Sequence, residues 1–150
     1  MNSIMQVTNN QVTNNQVTAN NVFVIQTVLL IDDDEKFRAI LAEILTDMGF
    51  SPISAEDGLQ GLELANRHQP DLIICDINMP VMDGYGVLKS IRNDPMLAQV
   101  PFIFLTAEID ETNHQQCLQL GATACLKKPL RLFQLLEAIT TIQQTHLQAT

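Results

Sequence analysis

The chain has 150 residues, 46% of them hydrophobic, and a net charge of −9 with only eight basic residues, which are scattered. That is one domain's worth of chain, without the clustered Lys and Arg that nucleic acid or anionic lipid would need. No apolar run approaches the ~18 residues of a membrane span, and no basic segment leads into an apolar stretch as a secretory signal would.

Residues 6–20 read QVTNN QVTNN QVTAN. This uncharged, Asn-rich repeat is too short for a solenoid and supplies no core of its own. Residues 1–21 are therefore expected to form a disordered tail, although the Val-Thr content gives some propensity for an added strand. From Val22 the composition changes. VFVI and VLLI follow in turn, and the continuous run VLLI (28–31) suits a strand buried on both faces of a parallel sheet. Phe37, Ile40, Leu41, Ile44, Leu45 and Met48 recur at helical steps, closed by Gly49 as a C-terminal cap.

The alternation continues with a weak strand over FSPISA (50–55), a helix over residues 57–68 and a strong strand over DLIICD (71–76). A helix over 83–93 starts at the Asp83-Gly84 cap and stops before Pro95. Then come a strand in PFIFLTA (101–107), a helix in ETNHQQCLQLG, a strand in ACLK (124–127) and a closing amphipathic helix in RLFQLLEAITTIQ. Five strands alternating with five helices predict a parallel sheet covered on both faces. The expected domain runs over 22–147, with 148–150 as a C-terminal tail.

In such a sheet, ligands sit at the carboxyl ends of the strands. The polar residues fall there: Asp32-Asp33 after VLLI, Asp76 after DLIIC, Thr106 after FIFL, and Lys128-Pro129 after ACLK. Carboxylates without a His or Cys partner make a hard oxygen site suited to Mg²⁺ or Mn²⁺. A carboxylate such as Asp76 can act as a nucleophile toward phosphorus. A hydroxyl and an ammonium beside it would stabilise spread negative charge, which is how phosphoryl transfer is mainly catalysed. Asp34 and Glu35 read instead as helix-start acids. The cysteines, Cys75, Cys117 and Cys125, are odd in number and lack metal-ligand spacing, so they read as reduced thiols, most of them core residues, in a cytoplasmic protein. His68, His114 and His146 have no acidic partner in sequence that would suggest a chemical role.

VLLIDDDEKFR, DLIICDINMPVMDGYGVLKSIR, FIFLTAE and CLKKPL together resemble the receiver domain of bacterial two-component response regulators, over about residues 27 to 145. The resemblance implies a doubly wound, flavodoxin-like (βα)5 fold with strand order 2-1-3-4-5. It implies Asp76 as phosphoacceptor, Asp33 as a direct metal ligand, Asp32 acting through the metal's water shell, and Asn78 contributing a backbone carbonyl. Thr106 would be the switch hydroxyl and Lys128 the partner of the phosphoryl group, preceding a cis Pro129. Asn78 and Glu108 match the chemotaxis-type pair that tunes phosphate lifetime. One position departs from the pattern: Cys125 stands where the family carries the aromatic half of its switch, so coupling to the face of the last two strand–helix elements is altered.

The expected function is that of a stand-alone response regulator. A sensor histidine kinase would supply the phosphoryl group in a Mg²⁺-dependent reaction. The output would be protein–protein contact with an effector or a phosphotransfer protein, since no output domain follows the last helix. Such a protein catalyses only its own modification and is not an enzyme acting on external substrate. An intermediate that passes phosphate to a histidine phosphotransfer protein and a phosphorylation-independent adaptor are the alternatives. Nothing in the pattern specifies an oligomeric state.

Overall fold

The computed structural model describes residues 23–107 and 111–149. The QVTNN repeats and Glu108 lie outside the described residues. Strands β1 (Thr27–Ile31), β2 (Ser51–Ala55), β3 (Leu72–Asp76), β4 (Phe102–Thr106) and β5 (Ala124–Lys127) alternate with five helices. These are α1 (Glu35–Asp47), α2 (Gly58–His68), α3 (Gly84–Asn93), α4 (Glu111–Gln119) and α5 (Leu132–Ala149). Every strand pair is parallel, and the order is β2-β1-β3-β4-β5. The expected doubly wound architecture is therefore present.

Side chains alternate across a strand, and the alternation divides the core in two. Leu29, Ile31, Ile73, Cys75, Phe102 and Phe104 face α2, α3 and α4, packing with Ala65, Val87, Leu88, Ile91 and Cys117. Val28, Leu30, Leu72, Ile74, Ile103 and Leu105 face α1 and α5, packing with Leu41, Leu45, Leu135, Ile139 and Ile142. All five positions of β3 and of β4 are consequently buried, which is why their sequences are unbroken apolar runs rather than alternating ones. At the edge, β2 buries only Ala55. The Ser51 N–H donates to the Gln26 carbonyl at 2.8 Å, toward β1. Donors alternate sides along a strand, so the next position, Pro52, faces the side of β2 that has no partner strand among the described residues.

The helix starts follow from three aspartates. Asp34 accepts from the Phe37 N–H at 3.1 Å, Asp57 from Gln60 at 2.8 Å and Asp83 from Gly86 at 2.9 Å. Each such cap contributes about 1 kcal/mol. Asp34 is thus the cap itself, and Glu35 is the acid in the first turn. Gly49 follows the C-cap of α1 at φ +97°, a left-handed conformation that glycine adopts without strain.

Two boundaries differ from the periodicity. Residues 23–25 form no strand, yet Ile25 is buried and its N–H donates to Gln143 Oε1 at 3.0 Å, so this stretch packs as irregular chain. The closing helix runs past Gln143 to Ala149, through positions 148 and 149 that composition assigns to a tail. Past Ile142 the polar run QQTH breaks the apolar repeat, so sequence alone carries no signal for those extra turns.

Candidate functional site

Among the described residues, the buried polar or charged side chains are Asp32, Asp76 and Thr106. They close β1, β3 and β4 at the same edge of the sheet. A buried polar group costs stability unless it is partnered, so their shared location marks a built site. Asp33, by contrast, is exposed at the rim.

Asp32, Asp33 and Asp76 each bring a carboxylate oxygen within 4.8 Å of the others. Two unit charges ~4 Å apart repel by roughly 4 kcal/mol at an effective dielectric of 20. Part of that repulsion is offset by Lys128, whose ammonium lies 2.8 Å from Asp32 Oδ2 and 3.8 Å from Asp76 Oδ2. The Asp34 N–H adds a bond to Asp32 Oδ1 at 2.8 Å. Burial pushes the Asp76 carboxyl up to about 6, with Lys128 pulling it down, Asp32 and Asp33 raising it and the Ile77 N–H lowering it. Burial outweighs the ammonium. Asp76 is therefore a carboxylate that the fold holds in an unfavourable ionised state near neutral pH.

Lys128 is itself positioned from three sides. Its backbone N–H donates to the Thr106 carbonyl at 2.8 Å, its peptide bond to Pro129 is cis as expected, and its ammonium sits 4.2 Å from the centroid of the Phe37 ring. Phe37 was legible only as one member of the apolar stripe of α1; its second role as a face for the ammonium has no sequence signature.

Beside the carboxylates, a cavity of about 230 Å³ is lined by Ile77, Asn78, Tyr85, Thr106, Asn113 and Gln116. It brings Asn78 and Thr106 together, and adds Tyr85, Asn113 and Gln116, which sequence reasoning did not single out. Cys125 is elsewhere. It is buried in the core layer facing α2, α3 and α4, and its thiol donates to Cys117 Sγ at 3.3 Å.

The loop after Asp76 is tightly drawn. The Gly84 N–H donates to the Ile77 carbonyl, and the Met82 N–H to the Pro80 carbonyl, both at 2.8 Å. The second bond closes a three-residue γ-turn with Val81 at φ +70° and 96% exposed. A β-branched residue in that conformation stores roughly 1–3 kcal/mol. A Cβ on Gly84 would lie 2.4 Å from the Asp76 carbonyl oxygen. The glycine lets α3 start against the backbone of Asp76 itself.

This fold and site define a class: a doubly wound α/β domain with an acidic, lysine-bearing pocket at the carboxyl edge of its sheet, suited to hold a hard cation and to meet a phosphoryl group. The family model of the response regulator receiver domain matches residues 28–140, and the chain belongs to that family. It is 40% identical over 116 residues to the probable chemotaxis protein CheY of Rhizobium etli, covering 77% of this chain and 90% of that one. It is also 40% identical over 104 residues to the probable transcriptional regulator ycf27 of Guillardia theta, but spans only 40% of that protein's length and 69% of its own. Among solved structures, chemotaxis protein CheY4 of Vibrio cholerae superposes with a TM-score of 0.74 at 32% identity, over 79% of this chain and 98% of that one. The three carboxylates are compatible with the acidic Mg²⁺ pocket of receiver domains. Among the described residues, no helix is long and apolar enough to cross a membrane.

Proposed function

We propose that the protein is a response regulator that accepts a phosphoryl group on Asp76 from a sensor histidine kinase. It then signals by altered contact with an effector or a phosphotransfer protein. The observation that carries this reading is the burial of Asp76, 7% exposed, between two further carboxylates and the Lys128 ammonium. A structural carboxylate would not be kept in so unfavourable a place.

In the reaction, an ionised Asp76 oxygen forms the new bond to phosphorus. The phosphorus–nitrogen bond of the donor phosphohistidine breaks, and the imidazole leaves with that electron pair. Lys128 Nζ shifts from sharing Asp32 and Asp76 to pairing with a phosphoryl oxygen as a point charge. The Thr106 hydroxyl donates to another. Asp33, Asp76 and the Asn78 backbone carbonyl would hold a Mg²⁺ or Mn²⁺ ion directly, with Asp32 acting through its water shell. A divalent ion there supplies positive charge against the three carboxylates and the incoming phosphoryl oxygens. Asn78 and Glu108, two residues after the acceptor and after Thr106 in sequence, set how long the acyl phosphate lasts. The modified surface then biases a two-state equilibrium toward a partner.

Incubation with acetyl phosphate and Mg²⁺ tests this. A mass gain of one phosphoryl group is expected, lost in Asp76→Asn and on chelation. If intact wild-type protein gains no mass and no partner is released or captured on treatment with beryllofluoride, an adaptor that docks without phosphorylation replaces this reading.

A further inference from the structure

Away from the carboxylates, Cys117 of α4 and Cys125 of β5 face each other, eight positions apart in sequence. Both are free and buried, and the Cys125 thiol donates to Cys117 Sγ at 3.3 Å. The third thiol, Cys75, is engaged differently, donating to the Asp76 carbonyl at 3.2 Å. A disulfide needs a sulfur–sulfur distance of about 2.05 Å, so the two sulfurs, already 3.3 Å apart, must approach by about 1.2 Å.

We propose that Cys117 and Cys125 form a modification site for a small peroxide, which converts them to an intramolecular disulfide tying α4 to β5. The route of access is the cavity beside Asp76. Tyr85 and Gln116 line it, and Gln116 precedes Cys117 in the chain. The Cys117 thiolate attacks a peroxide oxygen, the O–O bond breaks and water leaves, giving a sulfenic acid. The Cys125 thiolate then attacks that sulfur and expels the second water. Two thiols lose two electrons and two protons, and one peroxide becomes two waters.

Burial pushes the Cys125 thiol up to about 12, so little Cys125 thiolate is present at neutral pH and the bridge-closing step is slow. The site accumulates its product under sustained oxidant rather than responding in seconds. The consequence is local. Asn113 and Gln116 of α4 wall the cavity next to Thr106, and the bridge fixes that wall to the strand leading into Lys128. Closure of the bridge involves the two sulfurs alone and does not depend on phosphorylation.

The test is hydrogen peroxide treatment of the full chain, followed by unfolding, alkylation and peptide mapping. The expected product is a Cys117–Cys125 linked peptide two hydrogens lighter than the pair of free peptides. It should hold most of the recovered Cys117, revert with dithiothreitol, and leave Cys75 alkylatable. Cys75→Ser should form the same bridge, whereas Cys125→Ser should stop at a Cys117 sulfenic acid trapped by dimedone. Wild-type protein in which both thiols remain alkylatable, or in which the bridge joins Cys75 or two chains, overturns the proposal.

Discussion

Asp76 stands out as a residue whose ionised form is held against its environment. A carboxyl moved from 3.8 to about 6 on folding keeps its proton in the folded state where the unfolded chain has lost it. Folded stability therefore falls as pH rises from about 4 to about 6, by roughly 3 kcal/mol at 1.36 kcal/mol per unit. Below that window both states are protonated and above it both are ionised, so the deficit is then complete. Asp76→Asn lacks the titration. In urea unfolding without divalent cations, the stability of wild type relative to Asp76→Asn should drop across this window and stay low above it. Parallel profiles for the two proteins would mean that Lys128 cancels the burial cost after all. The same deficit gives the site its preference for a positive ligand, because binding a cation relieves it.

At the level of elements, much was legible because one physical cause served each signal. Burial on both faces makes VLLI, LIIC and FIFL continuous, and the same burial forces the chemistry to their polar ends at Asp32, Asp76 and Thr106. Aspartates at positions 34, 57 and 83 cap helices for the reason the residue type is favoured there. What escaped was whatever depends on the third dimension alone: Phe37 beneath Lys128, Tyr85 and Gln116 around the cavity, and the meeting of Cys117 with Cys125. Residues 23–25 carried no assignment in sequence, since an apolar run does not say whether it buries itself as a strand or as irregular chain.

Two glycines in α2 and α3 separate backbone from side-chain crowding. A Cβ at Gly84 meets the Asp76 carbonyl at 2.4 Å and the Ile77 Cα at 2.9 Å, both backbone. At Gly61 the nearest atoms are Ile31 Cδ1 at 2.5 Å and Cγ1 at 2.9 Å, both side chain. A buried side chain yields in part and the backbone does not. Gly84→Ala should cost about 2–3 kcal/mol, and Gly61→Ala about 1–2 kcal/mol. Gly84→Ala should also slow labelling by acetyl phosphate, because the shift falls on the nucleophile's own peptide, whereas Gly61→Ala should leave the rate unchanged. Equal losses of thermal stability in the two variants would contradict this ordering.

Over the whole molecule, the acid-rich edge links folding to cation binding. A ligand that binds only the folded state stabilises it by about 2.7 kcal/mol at a hundred times its dissociation constant. Mg²⁺ should therefore raise the melting temperature of wild type by several degrees at neutral pH, and should do so far less in Asp33→Ala. Asp34→Ser, which keeps the helix cap, should respond as wild type does. A similar response in Asp33→Ala and wild type would remove Asp33 from the ligand set.

The open side of β2 has a consequence for how copies of the chain behave in a crowd. An unpaired strand normally offers a row of donors to any neighbour's strand, and sheets can then grow from molecule to molecule. Pro52 removes one of the two outward donors, those of positions 52 and 54, and cannot join a continued ladder. The acidic surface keeps molecules apart at long range; the proline blocks the hydrogen-bonded step that would follow contact. Pro52→Thr should leave the chain folded yet shift concentrated, salt-screened solutions toward light-scattering aggregates. Unchanged scattering would place the protection in charge alone.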